Sequence, residues 1–217
     1  ADTVVIANVA GTTVEEYARV AERLGASPVV QAIEINISCP NVKRGGMAFG
    51  TDPEAAASVV QAVRQATNKP LLAKLTPNVA DIASIALACV ESGADALSLT
   101  NTFPALAIDV RTRRPLLGAN FGGLSGPAIK PLALLKVHQV HQAVRSRGVS
   151  LLGGGGIMSG QDVAEFIIAG AAACFVGTLL LREAAACGHL LDELRSTMAE
   201  LGAAAVADLV GSLQLHQ

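Results

Sequence analysis

Short β-branched apolar runs recur along the chain, separated by longer amphipathic stretches. The runs Val4 to Asn8, Ala32 to Ile37, Leu71 to Leu75, Ala96 to Thr100, Ser150 to Leu152 and Ala173 to Val176 are read as strands. Between them, Thr13 to Leu24, Pro53 to Thr67, Val79 to Ser92, Pro131 to Arg147, Gly160 to Ala169 and Arg182 to Leu201 are read as helices. Asp52-Pro53-Glu54 and Ser159-Gly160-Gln161-Asp162 have the polar and proline chemistry of helix starts. Gly93 and Gly170 are expected to end helices before the next strand.

Strict β-then-α alternation implies parallel strands joined by right-handed crossovers, in either a doubly wound sheet or a barrel. Polar, glycine-bearing segments follow nearly every run, the late ones included, which favours a barrel whose strand ends share one mouth. The predicted class is therefore α/β, a (β/α)8 TIM barrel of which about six units are visible. Residues 1–217 read as one domain, expected to be N-terminally incomplete because the chain begins within a few residues of a strand.

Composition agrees with a single globular domain. Of 217 residues 51% are hydrophobic and 16% charged, enough for a large aliphatic core. A formal charge of -2 and no local basic run give no reason to expect nucleic acid or an anionic membrane as partner. No apolar stretch reaches the roughly 18 residues of a membrane span, and no basic region leads into an apolar one at the N-terminus, so the expected location is cytoplasmic. Cys39, Cys89, Cys174 and Cys187 lie far apart and read as free thiols of a reducing compartment, with no zinc or cluster spacing. No metal is expected. His138 and His141 read as a solvated helix face, because no acidic partner lies nearby in sequence.

The chemistry concentrates where strands end. Asn36-Ile37-Ser38-Cys39-Pro40-Asn41 closes a strand with two carboxamides bracketing a thiol, and Pro40 turns the chain out of the sheet. Such amides can grip an amide or imide edge without adding charge, and the thiol can accept a proton if its surroundings favour the thiolate. The competing reading makes Cys39 one more small buried hydrophobe. Lys74, flanked by apolar strand residues, is either a device that protects a sheet edge from aggregation or a charge pointing into the barrel mouth. Central parallel strands have no edge to protect, which favours the second, where it would stabilise negative charge developing on a ligand. Asn8 and Asn101-Thr102 end other strands and would add amides and a hydroxyl at the same mouth. Glycines cluster late, in Gly122-Gly123-Leu124-Ser125-Gly126-Pro127, in Gly153 to Gly156, and in Gly177-Thr178, a pattern suited to a phosphate held by backbone N–H groups.

Taken together these segments resemble the class 1 dihydroorotate dehydrogenases, most closely subclass 1B. The resemblance rests on Glu34 to Val42, Lys74-Leu75-Thr76-Pro77-Asn78-Val79, Asn101-Thr102, Gly122 to Pro131, and the Gly155-Gly156 and Gly177-Thr178 pairs. It implies oxidation of dihydroorotate to orotate in pyrimidine biosynthesis, with Cys39 as the base and FMN as the hydride acceptor. It further implies that Asn36, Asn41, Asn101 and Thr102 hold the substrate. Asn8, Asn36, Lys74, Thr100, Gly126, Gly155, Gly156, Gly177 and Thr178 would line FMN, and the segment Val42 to Gly50 would form a lid. Expected partners are a second copy of the chain and a subunit carrying FAD and a 2Fe-2S cluster that passes electrons to NAD. About the first hundred residues of a usual member have no counterpart in this sequence. A dihydrouracil-type flavin dehydrogenase shares much of this chemistry, and a truncated barrel without catalysis would keep the helices but bind FMN poorly.

Overall fold

The described residues of this computed structural model are 3–38 and 46–216, with side chains from residue 49 onward in the second stretch. In chain order the elements are Ile6–Val9 (β1), Val14–Gly25 (α1), Ala32–Asn36 (β2), Gly46–Thr51 (α2), Pro53–Ala66 (α3), Leu71–Lys74 (β3), Ile82–Glu91 (α4) and Ala96–Leu99 (β4). An excursion of four short strands follows: Phe103–Ala105 (β5), Ile108–Asp109 (β6), Arg114–Pro115 (β7) and Gly122–Leu124 (β8). The chain then returns to alternation with Lys130–Val144 (α5), Ser150–Gly153 (β9), Gly160–Ala169 (α6), Ala173–Cys174 (β10) and Ala186–Glu200 (α7).

Six strands form one sheet in the order β1-β2-β3-β4-β9-β10, and every neighbouring pair is parallel. This is the sheet of a partial TIM barrel. Among the described residues β1 and β10 do not pair, so the sheet has two edges. At the β1 edge Val4, Val5 and Ile6 are 69%, 42% and 42% exposed. At the other edge Cys174, Val176, Leu190 and Leu194 line an apolar groove of about 290 Å³.

The two faces of the sheet differ in chemistry, and the difference positions the site. Ile33, Ile35, Leu71, Ala73, Leu97, Leu99 and Leu151 point to the helices and are at most 1% exposed. Each large aliphatic buried there contributes on the order of 1.5–3 kcal/mol. Because side chains alternate along a strand, the intervening Glu34, Asn36, Lys74 and Ser98 point to the barrel interior. Parallel register sets Asn8 beside Glu34, Asn36 beside Lys74, and Lys74 beside Ser98. Buried parallel strands are usually apolar on both faces, so an interior of this polarity needs internal compensation.

Local sequence chemistry places the helices. Asp52 caps α3 by accepting from the Ala55 N–H at 2.8 Å, and Pro53 occupies the first turn. Ser159 and Asp162 form a capping box at α6. Gly93 and Gly170, at φ of 105° and 125°, follow α4 and α6 as expected.

Several boundaries differ from the sequence reading. The fourth helix starts at Ile82 instead of Val79, because the Asp81 carboxylate accepts from the N–H groups of Ala83 and Ser84. The last helix starts at Ala186 instead of Arg182, behind a 3-10 turn over Thr178–Leu181. The final strand ends at Cys174, since β10 pairs with β9 only at Ala173 and Cys174. The lid expected over Val42 to Gly50 lies outside the described residues up to residue 45 and is helical from Gly46. That helix is anchored: the Phe49 ring meets Tyr17 edge-on at 5.9 Å, and the Tyr17 hydroxyl donates to the Asn36 carbonyl at 2.7 Å.

The histidines also depart from a solvated face. His141 is half-buried, its imidazole wedged between Gly170 and Gly211, where a Cβ on either glycine would collide with the ring. The chain after α7 docks there through Gly211 N–H to the Ile167 carbonyl at 3.1 Å and Leu213 N–H to the Ile168 carbonyl at 3.2 Å. Burial pushes the His141 pKa below its ordinary 6.5, with the positive charge of Arg145 and the neighbouring His138 acting in the same direction. A depressed base favours the neutral native state, so the contribution is complete above the ordinary value and is lost as pH falls below it. Stability to urea should therefore decline from pH 7 to pH 5.5, and His141→Gln should make that decline shallower; identical slopes would remove His141 as its source.

Candidate functional site

Glu34 organises the interior mouth. Its Oε1 accepts from the Ser98 hydroxyl at 2.6 Å, and its Oε2 accepts from the Asn8 side-chain amide. Lys74 Nζ lies 3.5 Å from Oε2, and with side chains 20% and 16% exposed the two ions are largely withdrawn from water. A charge held so far from water is tolerated only when it is paired and hydrogen-bonded, which Glu34 achieves with groups from three other strands of the sheet. Lys74 also stands 5.1 Å from the centre of the Phe175 ring, a favourable cation–π placement.

From Glu34 a chain of hydrogen bonds runs across the strand ends. The Asn36 amide reaches Asn8 Oδ1 at 3.4 Å, and Asn36 Oδ1 accepts from the Ser38 hydroxyl at 2.8 Å and the Ser38 N–H at 3.2 Å. Asn101 then donates to the Ser38 hydroxyl oxygen at 2.7 Å and accepts from the Thr102 N–H at 2.9 Å. Asn78 donates to the Thr102 carbonyl at 3.1 Å and, at the same distance, to Thr76 Oγ1. Each carboxamide is thereby fixed in orientation, which is what recognition of a planar polar ligand demands.

Beside this arc opens a cavity of about 340 Å³. Its size falls within the range of small-molecule sites. Lys74, Thr100, Asn101 and Thr102 line it, and Gly126, Gly155, Gly156, Gly177 and Thr178 add a glycine-rich stretch of wall. Gly156, at φ 89°, lies so close to its neighbours that a Cβ would stand 2.7 Å from the Gly126 carbonyl oxygen. The backbone N–H groups of Gly155, Gly156 and Gly177 have no hydrogen-bond partner among the described residues. Thr178 Oγ1 donates to Ser125 Oγ at 2.9 Å. The Leu99-Thr100 peptide is cis, and Thr100 N–H donates to the Gly154 carbonyl at 2.9 Å, tying the end of β4 to the loop after β9.

Of the site residues named from sequence, Lys74, Thr100, Asn101, Thr102, Gly126, Gly155, Gly156, Gly177 and Thr178 share this one cavity. Asn8 and Asn36 join it through Glu34 and Ser38. Cys39 and Asn41 lie outside the described residues. Sequence reasoning missed Glu34, Ser98, Phe175 and Ser125. Glu34 carried a signal, a carboxylate in an otherwise uncharged strand, but its partners come from 26 and 64 residues away. Among the described residues no cluster of His, Cys, Asp and Glu could hold a metal ion. No helix of the described residues is long and apolar enough to cross a membrane. Cys89 and Cys174 are poor nucleophiles, since burial pushes each thiol up to about 12.

Comparison with known proteins places this geometry. The family profile described as dihydroorotate dehydrogenase matches residues 1–198. A catalytic subunit of dihydroorotate dehydrogenase B (NAD(+)) from Geobacter sulfurreducens is 53% identical over 213 residues, covering 98% of this chain and 69% of the relative. The corresponding subunit from Desulforudis audaxviator is 53% identical over 211 residues, covering 97% and 68%. A crystal structure of DHODH from Eimeria tenella in complex with ferulenol superposes with a TM-score of 0.78 at 24% identity, covering 94% of this chain and 58% of that one, a likeness of fold. The chain belongs to the dihydroorotate dehydrogenase family.

Proposed function

We propose that this chain carries the catalytic site of a flavin-dependent oxidoreductase that converts dihydroorotate to orotate in de novo pyrimidine (UMP) synthesis. The observation that carries the reading is that the carboxamide arc and the glycine-walled cavity meet at Asn101 and Thr102, with Lys74 at their junction. The names of the relatives, catalytic subunits of dihydroorotate dehydrogenase B (NAD(+)), support the substrate and the NAD-linked route.

The residues fit FMN. Glycine positions with no room for a Cβ, unpartnered N–H groups and the Thr178 hydroxyl suit its phosphate, and the cation of Lys74 suits an electron-rich ring. Asn8, Asn36, Lys74, Thr100, Gly126, Gly155, Gly156, Gly177 and Thr178 would hold it. When bound, FMN supplies the acceptor for the hydride that leaves C6 of dihydroorotate. Asn36, Asn101, Thr102 and Asn41 orient the pyrimidine through its amide edges. Cys39, which follows the pinned Ser38 directly, takes the C5 proton as general base. Glu34 keeps Lys74 in place, and the pair adds no net charge to the mouth. Residues 1–217 form the greater part of one FMN-binding barrel domain, N-terminally incomplete, of a cytoplasmic enzyme that pairs with a second copy and with an FAD and 2Fe-2S subunit passing electrons to NAD.

Anaerobic addition of L-dihydroorotate to the chain loaded with FMN should bleach the oxidised-flavin absorbance; an unchanged spectrum would favour the reading as a truncated barrel without catalysis. Cys39→Ser should slow that bleaching by roughly 10²–10⁴-fold, the usual worth of a general base, while leaving orotate affinity nearly unchanged. Equal losses in both would remove Cys39 from the proton transfer.

A further inference from the structure

Lys130 is the first residue of α5 and lines no part of the cavity, yet it stands at the centre of an ion cluster directly behind the glycine wall. Its Nζ donates to Asp162 Oδ1 at 2.5 Å and lies 2.8 Å from Glu165 Oε2. The other oxygen of Asp162 accepts from the N–H groups of Met158 at 2.7 Å and Ser159 at 3.0 Å. One carboxylate therefore binds the start of α5 with one oxygen and the loop leading into α6 with the other. The Lys130 and Asp162 side chains are 25% and 12% exposed, enough enclosure for the pair to resist solvent screening. The hydrogen bonds from Lys130 to Asp162 and Glu165 raise the Lys130 pKa. Burial pushes the Asp162 carboxyl up, but Lys130 and the two loop N–H groups outweigh it and hold it below the ordinary carboxylate value.

The segments that this cluster joins are the two that carry the glycines. Gly126 caps the 3-10 turn Pro127–Ile129 leading into Lys130, and Gly155-Gly156 lie in the loop that ends at Ser159. Between the two segments there is no slack. A Cβ on Gly156 would stand 2.7 Å from the Gly126 carbonyl oxygen and 3.0 Å from the Lys130 backbone nitrogen. We infer that Lys130 and Asp162 form a clamp that sets the spacing between the Gly126 and Gly155-Gly156 segments and so aims their backbone N–H groups at the phosphate of the flavin nucleotide. Lys130 is a positioning residue that acts through these amides and does not touch the ligand. The inference rests on the FMN reading above and extends it from the cavity wall to what holds the wall.

A general staple between α5 and α6 would affect every ligand alike, whereas a clamp on the phosphate cradle acts only on ligands that carry the phosphate. Binding of FMN and of riboflavin, followed by quenching of flavin fluorescence, separates the two. The full chain should prefer FMN. Lys130→Met should weaken FMN by about tenfold or more, the worth of one hydrogen bond to a charged group, while riboflavin affinity stays within about twofold. Lys130→Arg, which keeps the charge, should recover part of the preference, and Asp162→Asn should lose it as Lys130→Met does. Equal weakening of both ligands, or a preference unchanged in Lys130→Met and Asp162→Asn, would overturn the clamp and leave the FMN reading standing. A wild-type chain that binds neither ligand, or both equally, would overturn the FMN reading and the clamp with it.

Discussion

An ion pair inside a parallel sheet imposes the main constraint on this molecule. Glu34 and Lys74 point from adjacent strands into the barrel interior, where either charge alone would be costly, and Glu34 compensates by also accepting from Ser98 and Asn8. That arrangement requires four strands in one register, because a slip of one residue would turn Glu34 and Lys74 into the helix-facing layer. Aliphatic packing on the outer face provides the stability, and the polar inner face fixes which alignment of the strands is compatible with it.

From that constraint the site follows by short steps. Fixing Asn8 and Asn36 at the strand ends orients Ser38, and through Ser38 also Asn101 and Thr102. Thr100 links the same strand end to the Gly154 carbonyl, so the carboxamide arc and the glycine wall are tied by backbone geometry. The wall is braced from behind by Lys130 and Asp162. Polar groups that would weaken a purely structural core are here each satisfied by another, and among the described residues no buried side-chain nitrogen or oxygen lacks a partner.

How much of this was legible in the sequence varied with the range of the interaction responsible. The six strands and their intervening helices were readable because period-2 and period-3.6 patterns are local, as are the Asp52-Pro53 and Ser159 caps. The glycine wall was readable because glycine at a strand end has few other uses. Glu34 was not assigned a part, since a single carboxylate in an otherwise uncharged strand marks a position without naming its partners, and these are supplied by β1, β3 and β4. Two short antiparallel pairings, β5 with β8 and β6 with β7, escaped notice because strands of two or three residues carry no periodicity. His141 was misjudged for a similar reason: the glycines that enclose it are 29 residues or more away along the chain.

The measurement that tests this account most directly is a double-mutant cycle on unfolding in urea with Glu34→Gln, Lys74→Met and the pair. If the ion pair governs the interior, each single change leaves a half-buried group uncompensated, and the double variant should be more stable than the sum of the two losses implies by about 0.5–3 kcal/mol. Losses that add to within about 0.3 kcal/mol would mean that Glu34 and Lys74 act independently, and the ordering of the strand ends would need another origin.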